Sequence, residues 1–454
     1  MTFKSFITNY SEFYENLELS KLLNEIELKG NITNEEAFFK NLVNPSGSKE
    51  HPYYRWVRYR EGYSGELVKE LIRRSKISSN QYVFDPMSGS GSSLIAAMEM
   101  GYSAVGNDVI PYSVDLSNAK LQHYSLESIK LIRSFVIGQP KHLNDNQTYI
   151  ENDNGLFSAK KYFRVNNFDS LIDLRRAILK IKDDTAEQFL WASWLAILED
   201  CSERKKDGNG LATRPSKVTD VFEKFTNQVN IMLEDIERHP LDKDIVGKVF
   251  LSSATKSSEV LKQYEAETKK ELGVIIFSPP YANSFDYFES YKLELLCGYY
   301  DPKSLIHQRQ NAIRNYRKGY GFQLKSEYKL VNMLCDEVRT RIPEKEKRTG
   351  VSDNRSRLVP NLLVGYFDDM GKVLKEFASV MKSGTQCHIV VDQSAYLGLV
   401  VPTDLILADI GEKLGFEITN IIRCRRAATS GQQLTQYPYL KGVLRESIVT
   451  LTKI

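Results

Sequence analysis

Ser278-Pro279-Pro280-Tyr281 follows the apolar run Val274-Ile-Ile-Phe277 without a gap. A run that is hydrophobic at every position reads as a strand buried on both faces, and two prolines end its ladder and stiffen the turn. The tetrapeptide is thereby delivered, in a fixed shape, at the carboxyl edge of a sheet. Such a turn suits the activation of an aromatic amine. An exocyclic amine shares its lone pair with the ring and is a poor nucleophile. Two acceptors aimed at its hydrogens, the Ser278 hydroxyl and the Pro279 carbonyl, would draw the pair back onto nitrogen. Tyr281 would offer a face for the ring to stack on. The work is orientation and electrostatics, and no cysteine follows the prolines to form a covalent intermediate. Alone, Ser-Pro-Pro-Tyr is better read as an ordinary proline turn, so its weight depends on a second motif.

That motif lies upstream. Gln81-Tyr-Val-Phe84 reads as a short strand running into Asp85-Pro86-Met87-Ser88-Gly89-Ser90-Gly91-Ser92-Ser93. An apolar helix follows at 94–98, then a strand at 103–106 that ends at Asp108. Strand, glycine loop, helix, strand and acid in this order form a βαβ nucleotide-binding unit. Glycines let the backbone approach a ligand closely, and the ligand lies beyond the carboxyl ends of the strands. The loop lacks the Lys-Ser/Thr ending of a P-loop and the third glycine of the dinucleotide fingerprint. An acid ahead of the glycines suits a cationic ligand better than a pyrophosphate. Asp108 is placed to accept hydrogen bonds from ribose hydroxyls.

The rest of the chain supplies the elements that must hold these motifs. Residues 1–50 read as a polar, helical segment. Residues 51–60 are basic and aromatic, and a helix follows with Ser64 as its N-cap. Residues 119–245 read as mostly helical, broken by a flexible basic loop at Lys205-Lys-Asp-Gly-Asn-Gly210. Strand signals return at 249–251 and 273–277. Residues 301–360 form a second insert, with 14 Lys/Arg against 7 Asp/Glu. A helix at 366–382, a strand at 387–391, a helix at 403–414 and strands near 416–424 and 445–452 complete the pattern. The last two strands are expected to form an antiparallel hairpin across the 425–444 loop. Strands alternating with helices predict an α/β, mainly parallel sheet, interrupted twice.

Composition excludes several classes. A hydrophobic fraction of 42% supports a sizeable core, and a net charge of +3 is too small to argue nucleic-acid binding from the total. The five cysteines contain no C-x-x-C pair and the six histidines no H-x-x-x-H pair. A disulfide framework, a structural zinc site and a zinc hydrolase are therefore not expected, and no metal is assigned. No apolar run reaches the roughly 18 residues of a membrane span, and residues 1–10 do not read as a signal peptide. A soluble cytoplasmic enzyme without membrane contact is expected.

Together the two motifs resemble those of the amino-methylating DNA methyltransferases, over roughly residues 51–118 and 248–452. Residues 55–72 are similar to that family's segment ahead of the cofactor loop. Tyr366 to Thr385 is similar to its helix before the fifth strand. The resemblance implies a Rossmann-like, S-adenosyl-L-methionine-dependent methyltransferase fold with a seven-stranded, mainly parallel sheet, built from 51–118 and 246–454. It implies a cofactor held by Phe84, Asp85, Pro86, Gly89, Ser90, Gly91, Asp108 and Val109, and catalysis at Ser278, Pro279, Pro280 and Tyr281. In the family, Ser at the first tetrapeptide position is typical of cytosine-N4 enzymes, and Asp or Asn of adenine-N6 enzymes. The resemblance thus implies N4-methylcytosine formation in double-stranded DNA by base flipping. The setting it implies is a restriction–modification system, whose other half would be a cognate restriction endonuclease. Adenine-N6 methylation is the alternative, RNA guanine-N2 methylation a third reading, and a DNA-binding subunit retaining the fold a non-enzymatic one. One departure is Ser252-Ser-Ala254, where the family often carries an acid beside the adenine.

DNA contacts are sought in the inserts, either of which reads as a recognition region. Arg309, Arg314, Arg317, Lys318 and Tyr320 interleave charge with aromatics, and Arg339, Arg341, Lys345, Lys347 and Arg348 follow. Such residues neutralise phosphates or read guanine edges, although charge runs are often merely solvated helix faces. Lys205, Lys206, Arg423, Arg425 and Arg426 are weaker candidates. Phe285 and Tyr287 read equally as the wall of a base pocket and as core.

Overall fold

The computed structural model describes residues 8–44, 50–59, 62–138, 145–208, 210–283, 285–315 and 325–454. Its main sheet has eight strands: β1 Thr33–Asn34, β2 Gln81–Asp85, β3 Ser103–Asp108, β4 Gly247–Leu251, β5 Glu271–Phe277, β6 Gln386–Asp392, β7 Phe416–Arg426 and β8 Arg445–Lys453. Their spatial order is β1-β7-β8-β6-β5-β2-β3-β4. From β6 through β5, β2 and β3 to β4 every pairing is parallel. β8 runs antiparallel to both its neighbours, β6 and β7. The fold is α/β, a large and mostly parallel sheet flanked by helices, as in Rossmann-like methyltransferases.

Side-chain alternation explains why the central strands are apolar throughout. In β5, Val274 and Ile276 enter one core while Ile275 and Phe277 enter the other. The first core takes in helices Gly65–Ser75, Ser92–Glu99 and Pro111–Leu121, then Val165–Ile178, Asp184–Cys201 and Val221–Arg238. The second takes in Leu17–Lys29, Ser257–Thr268, Lys329–Thr349, Val359–Val380 and Thr403–Lys413. The helices of 119–245 and the long helix of 301–360 therefore cover opposite faces of the sheet. Ser64 caps its helix, its hydroxyl accepting from the Leu67 N–H at 3.3 Å.

Several elements differ from the sequence expectation, among them an antiparallel pair of short strands, Ser394–Tyr396 and Leu399–Val401. β1 adds an eighth strand, pairing Thr33 with Ile422 and Asn34 with Arg423; two residues carry no alternation to read. The Lys205–Gly210 stretch is a β-hairpin, with Arg204–Asp207 antiparallel to Gly210–Thr213. The helix expected at 366–382 begins at Val359, because Pro360 sits in its first turn, where the missing N–H leaves no bond unmade. β7 and β8 form the expected antiparallel pair, from Phe416 opposite Lys453 to Arg426 opposite Arg445.

A buried ion cluster ties the N-terminal helix to β8. Arg445, 3% exposed in its side chain, lies 2.5 Å from Glu27 and 2.7 Å from Asp404. Asp404 also accepts from Ser447 at 3.0 Å and Gln393 at 3.0 Å. Removing one member of a buried cluster strands the others in low dielectric. Arg445→Met is expected to lower unfolding free energy by about 3–5 kcal/mol, seen as a lower urea midpoint; an unchanged midpoint would show that both acids find other partners.

Candidate active site

β2 sits between β3 and β5: the chain runs outward from it through β3 and β4 and then crosses back to its other side at β5, so the strand order switches at this point. In open α/β sheets such a switch opens a crevice at the carboxyl ends. A cavity of about 400 Å³ lies there. Asp85, Pro86, Gly89 and Ser90 line it after β2, Asp108 and Val109 after β3, and Ser278 and Pro280 after β5.

The glycines of the loop are required by its backbone. Gly89 has φ +51° and Gly91 φ +78°, the left-handed region where a side chain is strained. A Cβ on Gly91 would stand 2.9 Å from the Ser117 hydroxyl. The loop is pinned from below. The Gly89 N–H donates to Asp108 at 2.9 Å, as does that of Ile110 at 2.9 Å. Ser117 donates to the Gly89 carbonyl at 3.0 Å and the buried Lys120 to that of Ser90 at 2.8 Å. Burial pulls the Lys120 ammonium down to about 7.

Asp85 accepts from the Met87 N–H at 3.0 Å, from the Ser93 hydroxyl and from Tyr63 at 3.5 Å. Burial nevertheless pushes its carboxyl up to about 7, and that of Asp108 up to about 6. Two acids held above their ordinary value in one crevice disfavour their own charge, a state that a cationic ligand relieves.

The tetrapeptide stands across the cavity. The Ser278 hydroxyl donates to the Tyr281 oxygen at 3.4 Å, and Tyr281 donates to Glu446 of β8 at 3.3 Å. A narrower crevice of about 30 Å³ adjoins the cavity, lined by Ser278, Pro279, Tyr281, Asn283, Phe285 and Tyr287. Phe285 and Tyr287 meet edge to face at 4.7 Å.

Other residues singled out in the sequence lie elsewhere. Phe84 is fully buried in the second core, edge-on to Phe377 at 6.2 Å, and Gly91 is the N-cap of the helix after the loop; neither side lines the cavity. Arg309 lines it, 3.3 Å from Asp286. Arg314 grips Asp369 with two nitrogens, each at 2.8 Å. Arg317, Lys318 and Tyr320 lie outside the described residues. Arg339, Arg341 and Lys345 meet Asp336, Glu15 and Asp353, and Arg348 meets the Tyr437 hydroxyl at 3.0 Å. Lys206 corrects the expectation of a solvated contact. It is buried, 2.5 Å from Glu294 and 3.3 Å from Glu199, over the Tyr291 ring at 4.4 Å.

The cavity also takes in residues given no role from sequence. Tyr54, Val57, Arg58 and Tyr59 come from the basic, aromatic stretch ahead of the loop and Tyr63 from just beyond it; composition and the likeness of residues 55–72 to the family's segment were the available signals. Asp286 is buried at its wall, and burial raises its carboxyl; one acid in an aromatic run gives no spacing to read. Among the described residues no His, Cys, Asp or Glu group is placed to hold a metal ion, and no helix is long and apolar enough to cross a membrane.

The raised acids set a pH dependence. The folded chain binds these protons more tightly than the unfolded chain. The stabilisation is complete below the ordinary aspartate value of 3.8 and is lost as pH rises through about 6 and 7. Asp85→Asn stays neutral at every pH. It is expected to melt above the wild type near pH ~8 and close to it near pH ~4; parallel melting curves across that range would refute the shift.

No family model matches the chain. It is similar to the type II methyltransferase M.AvaI of Nostoc sp., at 24% identity over 453 residues, covering 92% of this chain and 89% of that one. It is similar to the type II methyltransferase M.BsoBI of Geobacillus stearothermophilus, at 25% identity over 472 residues, with 92% and 89% covered. A shorter likeness, 33% over 92 residues and 19% of this chain, is to the tRNA (guanine(10)-N2)-dimethyltransferase of Methanothermobacter thermautotrophicus. The breadth of the first two matches supports the amino-methyltransferase family that the two motifs resemble.

Proposed function

We propose that the chain is a site-specific DNA methyltransferase that carries a methyl group from S-adenosyl-L-methionine to the N4 amino group of cytosine, as the modification half of a restriction–modification system. The observation that carries this reading is the meeting, around one cavity, of an acid-lined glycine loop and a Ser-Pro-Pro-Tyr turn. The type II methyltransferases M.AvaI and M.BsoBI each match 92% of the chain.

The cavity fits the cofactor. Its volume, about 400 Å³, lies in the range of small-molecule sites. Asp85 and Asp108, both raised by burial, suit a ligand that brings positive charge and hydroxyl donors. Asp108 would take ribose hydroxyls, with Asp85, Pro86, Gly89, Ser90 and Val109 around the remainder. When bound, the cofactor supplies an electrophilic methyl group. The chain does the rest. Ser278 and the Pro279 carbonyl accept the hydrogens of the target amine and return its lone pair to nitrogen. Tyr281 stacks on the flipped base, and Phe285 and Tyr287 close the crevice. That crevice, about 30 Å³, holds about one water, so base entry must part these rings.

The insert at 301–360 reaches the cavity through Arg309, Ala312 and Ile313, which favours it as the part nearest the flipped base. Arg317 and Lys318 are proposed phosphate contacts, and residues 119–245 the second recognition region. Adenine-N6 methylation would use the same cavity. The tRNA relative gives guanine-N2 methylation of RNA one specific support, over 19% of the chain.

Incubation with S-adenosyl-L-methionine and mixed-sequence duplex DNA, then mass spectrometry of the nucleosides, tests the reading. N4-methylcytosine is expected. N6-methyladenine would overturn the base assignment alone, and a methylated guanine in tRNA with unmodified DNA would overturn the substrate. Ser278→Ala is expected to lower kcat by about 10²–10³-fold while cofactor Kd is unchanged; equal methylation would remove Ser278 from catalysis.

A further inference from the structure

An amine that gains a methyl group gains a positive charge and must release a proton. The tetrapeptide itself holds no base to receive one. Beside it stands Glu446, the second residue of β8, 2% exposed. One of its oxygens accepts from the Tyr281 hydroxyl at 3.3 Å, and the other is held by the Arg425 guanidinium. The Tyr281 oxygen accepts from Ser278 at 3.4 Å. Each hydroxyl donates onward, so the chain runs in one direction from the amine-facing serine to a buried carboxylate. Both contacts are long, as proton-transfer contacts often are before substrate tightens them.

We propose that Ser278, Tyr281 and Glu446 form a proton relay in which Glu446 is the final acceptor, a proposal that rests on the methyltransferase reading above. As the amine's lone pair forms the N–C bond, with the pair of the methyl's former bond left on the sulfur of the donor, the N–H proton passes to the Ser278 oxygen. The serine's own proton passes to the Tyr281 oxygen, and the tyrosine's proton to Glu446. The electron pair of the N–H bond stays on nitrogen. The net result is a neutral methylamine and a protonated Glu446, with both hydroxyls restored. Arg425 keeps Glu446 ionised until the proton arrives. Asp392, opposite Glu446 on β6, faces the same group and adds negative charge beside Tyr281, whose hydroxyl is held well above its ordinary value by burial first and by Glu446 and Asp392 next. Glu446 acts through Tyr281 and touches no substrate.

Glu446→Gln keeps the shape and an acceptor oxygen but takes no proton. It is expected to lose about 10²-fold in kcat, with KM for DNA and cofactor unchanged. The wild-type kcat is expected to fall on the acid side as Glu446 protonates, and this limb is expected to vanish in Glu446→Gln. Tyr281→Phe keeps the ring, removes only the relay hydroxyl, and guards against a folding defect in the first variant. Its loss is expected to match that of Glu446→Gln, and the double variant to lose no more than either. In the ligand-free protein, infrared difference spectra across the pH of that limb are expected to show one carboxyl band that Glu446→Gln lacks. A variant kcat within about threefold of wild type, a retained acid limb, additive losses or an unchanged carboxyl spectrum would each overturn the relay while leaving the methyltransferase reading intact. A wild type that methylates neither DNA nor RNA would overturn both.

Discussion

The molecule depends on the parallel pairing of β2 with both β3 and β5. Phe84 of β2 stands opposite Val105 on one side and Ile275 on the other. With three strands in step and pointing one way, Asp85, Asp108 and Ser278 all leave the sheet at the same edge. Parallel neighbours cannot be joined by tight turns. Each return needs a crossover, and the crossover helices bury both faces. Val83 and Phe84, Val274 and Ile275 are therefore apolar in succession. The same constraint that makes these strands hydrophobic sets chemistry at their ends, where the ladder stops and polar groups meet the crevice.

That crevice is built against its own stability. Asp85 and Lys120 lie buried and Asp108 half-buried beside one loop, and desolvation moves each toward its neutral form. Backbone N–H groups on Asp108 and the serine hydroxyl on Asp85 only partly offset the desolvation. A fold selected for stability alone would fill these positions with apolar side chains. Local violations of this kind gather where a ligand completes the electrostatics.

The βαβ unit and the tetrapeptide were legible because their signals are local. Alternation, glycines and prolines act within a few residues. The fate of the cations was not legible, because it depends on partners distant in sequence. Arg314 finds Asp369, 55 residues on, and Lys206 finds Glu294, 88 residues on. From sequence both belonged to basic runs; in the fold one clamps a helix and the other sits in a core. Tyr59 shows the converse. It gave no motif, yet it lines the cavity and stacks on Tyr291 at 4.9 Å. Asp286 enters the same wall from a loop whose course follows from packing and not from spacing.

β8 shows how one strand serves two purposes through its period. Arg445 and Ser447 point to the side where Asp404 waits, and Arg445 also reaches Glu27, tying the strand to the N-terminal helix. Glu446 between them points the other way, to Tyr281. A slip of one residue would exchange these sets and place an arginine beside the tetrapeptide. The partner strand refines the aim. Arg423 of β7 pairs with Ser447, yet Arg425 pairs with Glu446, because the register shifts between them. In a regular ladder Cys424 would stand opposite Glu446, and Arg425 opposite Arg445. The bulge inserts one residue, so that Arg426 and not Arg425 stands opposite Arg445, and brings the Arg425 guanidinium onto the carboxylate. A buried acid with a cation of its own can stay ionised beside a tyrosine hydroxyl, and an irregularity of one residue supplies that cation.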